Sequence, residues 1–487
     1  MNVDFSLLIP EFILAGAGFA VLLVDLLLPK SMEARRPVAT AATAIAGLAL
    51  TAIVAWATQT ETDETLYGGL LFIDNFSLLF KVLFAGVGIV VTLMSLEYVS
   101  RRMRNPGEYF ALIVFAVLGS TLMAEAGELL TAFISIELLT FSLYVLVGLS
   151  RGDDRSAEAT TKYILLGAIS SALMLYGISQ LYGAYGTTVF TELGPLMAVG
   201  FNWDLTTISG FVLILAGLGF KLSMFPFHLW APDVYEGAPT PITALIAVLS
   251  KAATVALVLR FLAEVGAGSV NDWRMPLAIL AAATMTVGTL MAVVQTNIKR
   301  LLAYSSVAQV GFMLVGIVPM TVIGANAVVL HVIGYAFTNL AAFTVVIVVE
   351  TKLGKEDLGG FAGLSKRAPV LAMIMTGALF SLAGLPIFAG FVTKFYLFIA
   401  AVDRGLMWLV VVAVANSVIS LYYYIRVIRE MYITETADAS KLPVPVLMSV
   451  VAWVMFAGTV WVGIYPDSFV DAVNTSTTAL TPWINFR

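Results

Sequence analysis

Residues 208–226 read ISGFVLILAGLGFKLSMFP, an apolar run that carries one lysine, Lys221, and closes on one proline, Pro226. Crossing the hydrocarbon of a bilayer takes about 20 such residues. A lysine at the bilayer centre costs about 2.5–3.5 kcal/mol on insertion scales, so it persists only against a wet or polar interior that offers a partner. Proline removes a backbone hydrogen bond and collides with the turn before it, so the helix bends or breaks. Backbone freed by such a break is tolerated at membrane depth only beside a cavity or inside protein. The stretch therefore predicts a broken membrane helix with a polar interior.

The rest of the chain has the same character. Of its 487 residues, 60% are hydrophobic and only 12% charged, with a mean hydropathy of +0.96. That charged share is about half of what soluble domains carry. A soluble domain cannot hide so much apolar surface, so the solvent is lipid. About fourteen runs are long enough to span: 5–28, 38–58, 75–97, 109–125, 128–149, 160–184, 208–226, 241–264, 275–296, 303–320, 324–350, 369–402, 405–431 and 444–465. The fold class expected is an all-α polytopic membrane protein. The first run starts almost at Met1 with no basic region before it and continues past Asp25, so it reads as a helix rather than a cleavable leader.

Basic residues fall on alternate loops. Lys30, Arg35 and Arg36 follow the first span, and Arg101, Arg102 and Arg104 the third. Arg151, Arg155 and Lys162 surround the fifth loop, and Lys299 and Arg300 follow the ninth span. Lys352, Lys355, Lys366 and Arg367 follow the eleventh, and Arg426, Arg429 and Lys441 the thirteenth. The opposite loops hold only Arg260, Arg274, Arg404 and Arg487, with the acidic Glu61, Asp63 and Glu64. Loops rich in Lys and Arg stay in the cytoplasm, so both termini are expected in the periplasm. The tail after Tyr465, with Pro466, Asp467 and Pro482, reads as a periplasmic surface segment, and 351–367 as a cytoplasmic connector.

The chain has no cysteine and two histidines, His228 and His331. Iron–sulfur clusters and thiol redox chemistry need thiolates, and two isolated histidines make no haem or zinc site. Electron transfer therefore belongs to other chains.

Four lysines lie inside apolar runs: Lys81, Lys221, Lys251 and Lys394. Lys81 lies near the periplasmic end of its span, within snorkelling reach of the interface, and is left out of the path. Glu137 sits within the fifth span. Burial lowers a lysine's proton affinity and a nearby carboxylate raises it, so a site that moves between the two settings loads and unloads protons. A static Glu137–Lys221 pair that fixes packing is the other reading. Charges spread over several spans, with histidines between them, favour proton transfer. Each histidine is equally readable as a packing residue.

Pro386, in LFSLAGLPIFAGF, repeats the break in the twelfth span. Superposing Pro226 on Pro386 pairs Ile214 with Ile374, Gly217 with Gly377, Phe220 with Phe380 and Leu222 with Leu382, while Lys221 meets Ser381. Five helices separate the two broken spans, so they run in opposite directions. Spans 4–8 and 9–13 are then inverted five-helix repeats, a transporter architecture with function near the midplane. The expected divisions are a three-helix segment 1–108, repeats 109–265 and 270–432, and a C-terminal helix and tail 444–487.

The stretch FKLSMFPFHLWAPDVYEGAPTPITALIAVLSKAA, residues 220–253, together with KRLLAYSSVAQVGF, residues 299–312, resembles the antiporter-like membrane subunits of respiratory complex I, most closely subunit N. With the fourteen spans, the resemblance covers nearly the whole chain. It implies a proton-translocating subunit of an NADH:quinone oxidoreductase in a bacterial inner membrane. This chain then holds no cofactor. NADH, FMN, iron–sulfur clusters and quinone belong to partner subunits, and other antiporter-like subunits are its neighbours. By the same resemblance, Glu137 matches the fifth-helix glutamate and Lys221 the lysine that pairs with it. Lys251 matches the central lysine, and Lys394 the exit site. Lys162 is similar to a lysine beside the Glu–Lys pair, and His228 and His331 to connecting groups of the axis. One residue departs from the pattern: Gln309 stands where many relatives carry histidine, so a relay there would need water. The rival readings are a cation/proton antiporter subunit of the Mrp type, against which residues 220–253 speak, and a structural subunit that pumps nothing, for which the buried charges are a needless cost.

Overall fold

The computed structural model describes residues 5–58, 64–103, 105–150, 152–200, 204–266, 270–436 and 440–480. Glu61, Asp63, Arg104, Arg151, Pro482 and Arg487 lie outside these. Thirteen helices among the described residues are long and apolar enough to cross a membrane. Where the sequence predicts the twelfth span, the chain forms two shorter helices in series, Pro369–Ala383 and Ala389–Asp403. The remainder is almost strand-free, with one antiparallel hairpin of Glu64–Leu66 and Leu71–Ile73.

The spans differ sharply in burial. The eighth, Thr240–Gly266, is wholly enclosed, and the tenth, Ile298–Ile317, and eleventh, Val322–Leu353, nearly so. The first two, Phe5–Leu27 and Ser31–Ala57, show most of their surface outward. Outward residues such as Phe19, Leu26 and Trp56 are large and apolar, as a lipid-facing surface requires. Lys251, Gln309 and His331 all ride on the enclosed helices.

Both expected breaks are present. The seventh span stops at Leu222, and Ser223 turns into the left-handed region at φ 59°. Past the Phe225–Pro226 peptide, which is cis, the chain resumes as Trp230–Gly237. In the twelfth span Ala383 is followed by Gly384 at φ 88°. Each helix closes with the same hydrogen bond, Met224 N–H to Gly219 O at 2.8 Å and Leu385 N–H to Phe380 O at 3.0 Å. This is the six-to-one closure of a Schellman cap. The second half-helix of the twelfth span crowds this cap, since a Cβ on Gly390 would lie 1.7 Å from the Ser381 carbonyl oxygen. Only glycine fits there.

Tyr163 and Phe220 flank the Trp230 indole in stacked geometry, and its Nε1–H donates to Phe220 O at 2.9 Å. One of the carbonyls at the first break is satisfied in this way. A π-helical turn, Ile246–Ser250, comes directly before Lys251. Such widened turns recur at functional sites. Two short helices were not legible in the apolar runs, Phe190–Gly200 and Asp467–Thr477.

Candidate functional site

A helix C-terminus gathers unpaired carbonyls and the negative end of the macrodipole, and so attracts cations. Both breaks use this. Lys251 is 1% exposed and donates to Leu222 O at 3.1 Å. Lys394, also buried, donates to Leu382 O at 2.8 Å and to Ser417 Oγ at 3.0 Å. Its ammonium also lies 4.1 Å from the Phe312 ring centre, within cation–π range. Leu222 and Leu382 are the residues that the repeat alignment pairs. Each break thus presents one leucine carbonyl to one buried lysine.

Gln309 Nε2–H donates to the same Leu382 oxygen at 2.9 Å, so the residue that departs from the family pattern touches the second break directly. His331 Nδ1 meets Thr393 Oγ1 at 2.9 Å, one residue from Lys394. Ser381, which stands where the first half has Lys221, bonds Thr338 Oγ1 and accepts from Gly390 N–H.

Lys221 is buried and donates to Thr140 Oγ1 at 2.8 Å. Glu137, three residues earlier on that same fifth span, accepts from Ser171 Oγ at 2.5 Å. The expected direct contact between Glu137 and Lys221 is therefore replaced by neighbouring attachments on one helix. The reason is the helix face. Glu137 is half-buried and shares its face with the outward Ile134 and Phe141, whereas Thr140 points inward.

Three further expectations are corrected. Lys162 does not sit by Glu137 and Lys221. It binds Glu158 and Asp233, each at 2.7 Å, and lies nine residues, about 13 Å along a helix, from Ser171. Lys81 does not snorkel: it is fully buried between Glu11, at 3.0 Å, and Glu125. Arg260 is no loop residue. It is sealed in the eighth span, paired through both terminal nitrogens with Asp74 at 2.8 and 2.9 Å. His228 is buried beside Phe225 and Tyr304, at the seam between the first break and the tenth span.

The apolar-run reading missed a polar layer at the lysine-rich end. Asp233 takes Lys162 and Arg300, Glu236 takes Arg300, and Glu356 takes Lys299. Asp233 lies in the connecting helix Trp230–Gly237, between spans. Burial works to raise its pKa, but hydrogen bonds from Lys162 and Arg300 outweigh this and hold it below the usual carboxylate range. A depressed carboxylate pKa contributes stability that is present above the ordinary value and is lost as pH falls through the depressed one. Asp233→Asn is therefore expected to cost about 1 kcal/mol near neutral pH and to differ less from the parent chain as acid is added below about pH 4. Thermal unfolding of the detergent-solubilised complex across that range checks the sign.

Hydroxyls also line the tenth span between that layer and the second break. Ser306 Oγ lies 3.2 Å from Tyr235 Oη, and Ser305 Oγ lies 2.5 Å from Tyr424 Oη. Their signal in the sequence is the stretch AYSSVAQ, residues 303–309.

Residues 126–420 match the family described as NADH:quinone oxidoreductase/Mrp antiporter, TM. The NADH-quinone oxidoreductase subunit N of Heliobacterium modesticaldum is 39% identical over 479 residues, covering 98% of this chain and all of that protein. A chain of respiratory complex I from Thermus thermophilus with bound aureothin superposes with a TM-score of 0.81 at 29% identity, over 96% of this chain and all of the other. A chain of the Mrp complex from a Dietzia species superposes with a TM-score of 0.84 at 20% identity, over 99% of this chain and 98% of that one, a likeness of fold alone.

Proposed function

The chain belongs to the NADH:quinone oxidoreductase/Mrp antiporter family and, within it, to subunit N of the NADH-quinone oxidoreductases; from that premise we propose that its proton route runs from Glu137 and Lys221 through Lys251 to Lys394. The chain is a proton-translocating membrane subunit of complex I, and its part in the enzyme is coupling. NADH oxidation, FMN, iron–sulfur clusters and quinone reduction fall to partner subunits in this reading. The lysine-rich end faces the cytoplasm of a bacterial cell and both termini face the periplasm, as the loop charges require.

The observation that carries the route is the matched pair of lysine–carbonyl contacts, Lys251 on Leu222 O and Lys394 on Leu382 O. A lysine held by the carbonyls of a helix end keeps its proton there. When the end shifts or hydrates, the same lysine is left in an apolar setting and gives the proton up. Carrying one charge against 100 mV costs about 2.3 kcal/mol, comparable to about two pKa units at 1.36 kcal/mol each. His331, beside Thr393, and the hydroxyls of Ser305, Ser306, Tyr235 and Tyr424 supply the polar surface between the halves. His228 occupies the seam at the entry side. Lys162 serves the cytoplasmic ion layer. The matched caps support reading 109–265 and 270–432 as inverted repeats, with the three-helix segment 1–108 and the tail 444–487 added to them.

Glu137 also indicates where a partner sits. Its half-buried carboxyl group lies beside the outward Ile134 and Phe141, and a polar group on such a face is costly against lipid. A neighbouring membrane subunit covering that face would remove the cost and place its own charges beside the start of the route.

The route is tested by Lys251→Met in the intact complex, reconstituted in vesicles. Methionine keeps the volume and removes the proton carrier. Pumping is expected to fall by at least about a hundredfold, the usual worth of a positioned proton-transfer group. Pumping at the parent rate sinks the assignment. Restored sodium tolerance in a sodium-sensitive host, with no dependence of transport on NADH, would favour the Mrp-type reading instead.

A further inference from the structure

The first, third and fourth spans enclose charges that the route above does not use. Glu11 on the first span, Lys81 on the third and Glu125 at the end of the fourth, Pro106–Glu125, meet in one buried cluster. Lys81 and Glu125 have no exposed surface, and Glu11 is 7% exposed. Oε2 of each carboxyl group has no hydrogen-bond partner among the described residues. With all three groups ionised, the cluster would hold an uncompensated negative charge out of water. Such a charge is neutralised rather than tolerated. The neighbouring charges do not offset it: Arg260 is already matched by Asp74 through both nitrogens, and Glu264, one turn beyond Arg260, adds another carboxyl group.

We propose that Glu11, Lys81 and Glu125 form a second proton-binding site, which holds one proton between the two carboxyl groups above the Lys81 ammonium. The proton removes the excess charge and supplies the donor that the unpaired oxygens lack. The site lies at the end where the first span begins and the fourth ends, which is periplasmic in the orientation proposed above, and it rests on that reading for its direction. It is joined to the lysine route by the eighth span. Arg260 stands nine residues, about 13 Å, from Lys251, and its Nε–H donates to Ala124 O at 2.9 Å, the carbonyl next to Glu125. Glu11, in the first turn of its helix, lies nearest the end of its span, and although its carboxyl oxygens are themselves out of solvent, release of the proton is assigned to it.

Infrared difference spectra of the intact complex, parent against variant, test this through the carbonyl stretch of protonated carboxyl groups. Glu125→Gln and Glu11→Gln each leave one carboxylate facing one ammonium, so each is expected to lose one protonated-carboxyl band. Lys81→Met leaves two carboxyl groups and no ammonium, and is expected to gain one. If one glutamine variant fails to assemble, the other measures the same quantity. Spectra in which neither glutamine variant loses a band overturn the site. A band that is lost in the variants but does not shift when the parent complex turns over in heavy water overturns its role in release. Lys221 and Lys251 variants leave this band in place, so the lysine route and the second site fail separately.

Discussion

Lys221→Met is expected to abolish proton pumping and quinone reduction together, each by at least about a hundredfold, in a complex that still assembles. The substitution separates function from packing. Lys221 touches Thr140 Oγ1 and lies 5.7 Å from the Phe220 ring centre, and it makes no ion pair within 4 Å among the described residues. Methionine fills a similar volume, and swaps of that kind usually cost under about 1.5 kcal/mol. Thr140 loses one partner, worth about 1 kcal/mol, but a helical threonine hydroxyl can turn back to the carbonyl one turn earlier. Against these losses stands the removal of an ammonium that costs about 2.5–3.5 kcal/mol to place in the membrane. A packing role for Lys221 therefore predicts a variant that is as stable as the parent and fully active. A transfer role predicts one that is stable and inactive. Vesicle acidification measured beside quinone reduction, with complex content checked on native gels, decides between them.

The apolar run lengths carried most of the fold. Span counting needs only the hydropathy of about 20 consecutive residues, and a mid-span proline announces a break wherever it falls. Both breaks stand where Pro226 and Pro386 put them, and Leu222 and Leu382, paired on the alignment alone, turned out to offer the carbonyls that the lysines hold. What could not be read was which helices touch. The position of Lys81 near a helix end permits snorkelling to the interface. Its partners come from the first and fourth spans, and no local pattern places those against the third. Arg260 reads as a loop charge because its partner Asp74 lies 186 residues away in the chain. Glu137 and Lys221 belong to the right pair of helices, but their contact depends on the rotation of the fifth span. That rotation sets Thr140 inward and leaves Glu137 half-buried against Ser171, a difference of three residues that hydropathy does not resolve. The ion-paired layer of Asp233, Glu236 and Glu356 is hidden in the sequence for a related reason. Its acids look like ordinary loop charges until Lys162, Lys299 and Arg300 arrive from other helices.

Lys394→Met is expected to stop pumping to a similar degree, at least about a hundredfold, and its structural cost is small for reasons visible at the second break. Four carbonyl contacts converge there, one of them a long bond from Lys394 to Ala383 O at 3.4 Å. Leu382 O accepts from Lys394 and from Gln309, and Ala383 O accepts from Ser417 Oγ at 2.9 Å. Removing the ammonium therefore strips neither carbonyl of its last donor. The variant avoids the cost of about 1–3 kcal/mol that an unpaired buried polar group imposes. Gln309→Leu makes the converse change: it keeps the ammonium, which still serves Leu382 O, and removes only the second donor. If Lys394 carries the proton and Gln309 merely steadies the helix end, Lys394→Met is inactive and stable while Gln309→Leu pumps nearly as the parent does. The double variant leaves Leu382 O with no donor and is expected to destabilise the complex beyond the sum of the single changes, because the two residues share one acceptor. Parent-like pumping by Lys394→Met would show that a water or hydroxyl path past Ser417 bypasses the lysine, and the exit assigned to the twelfth span would be wrong.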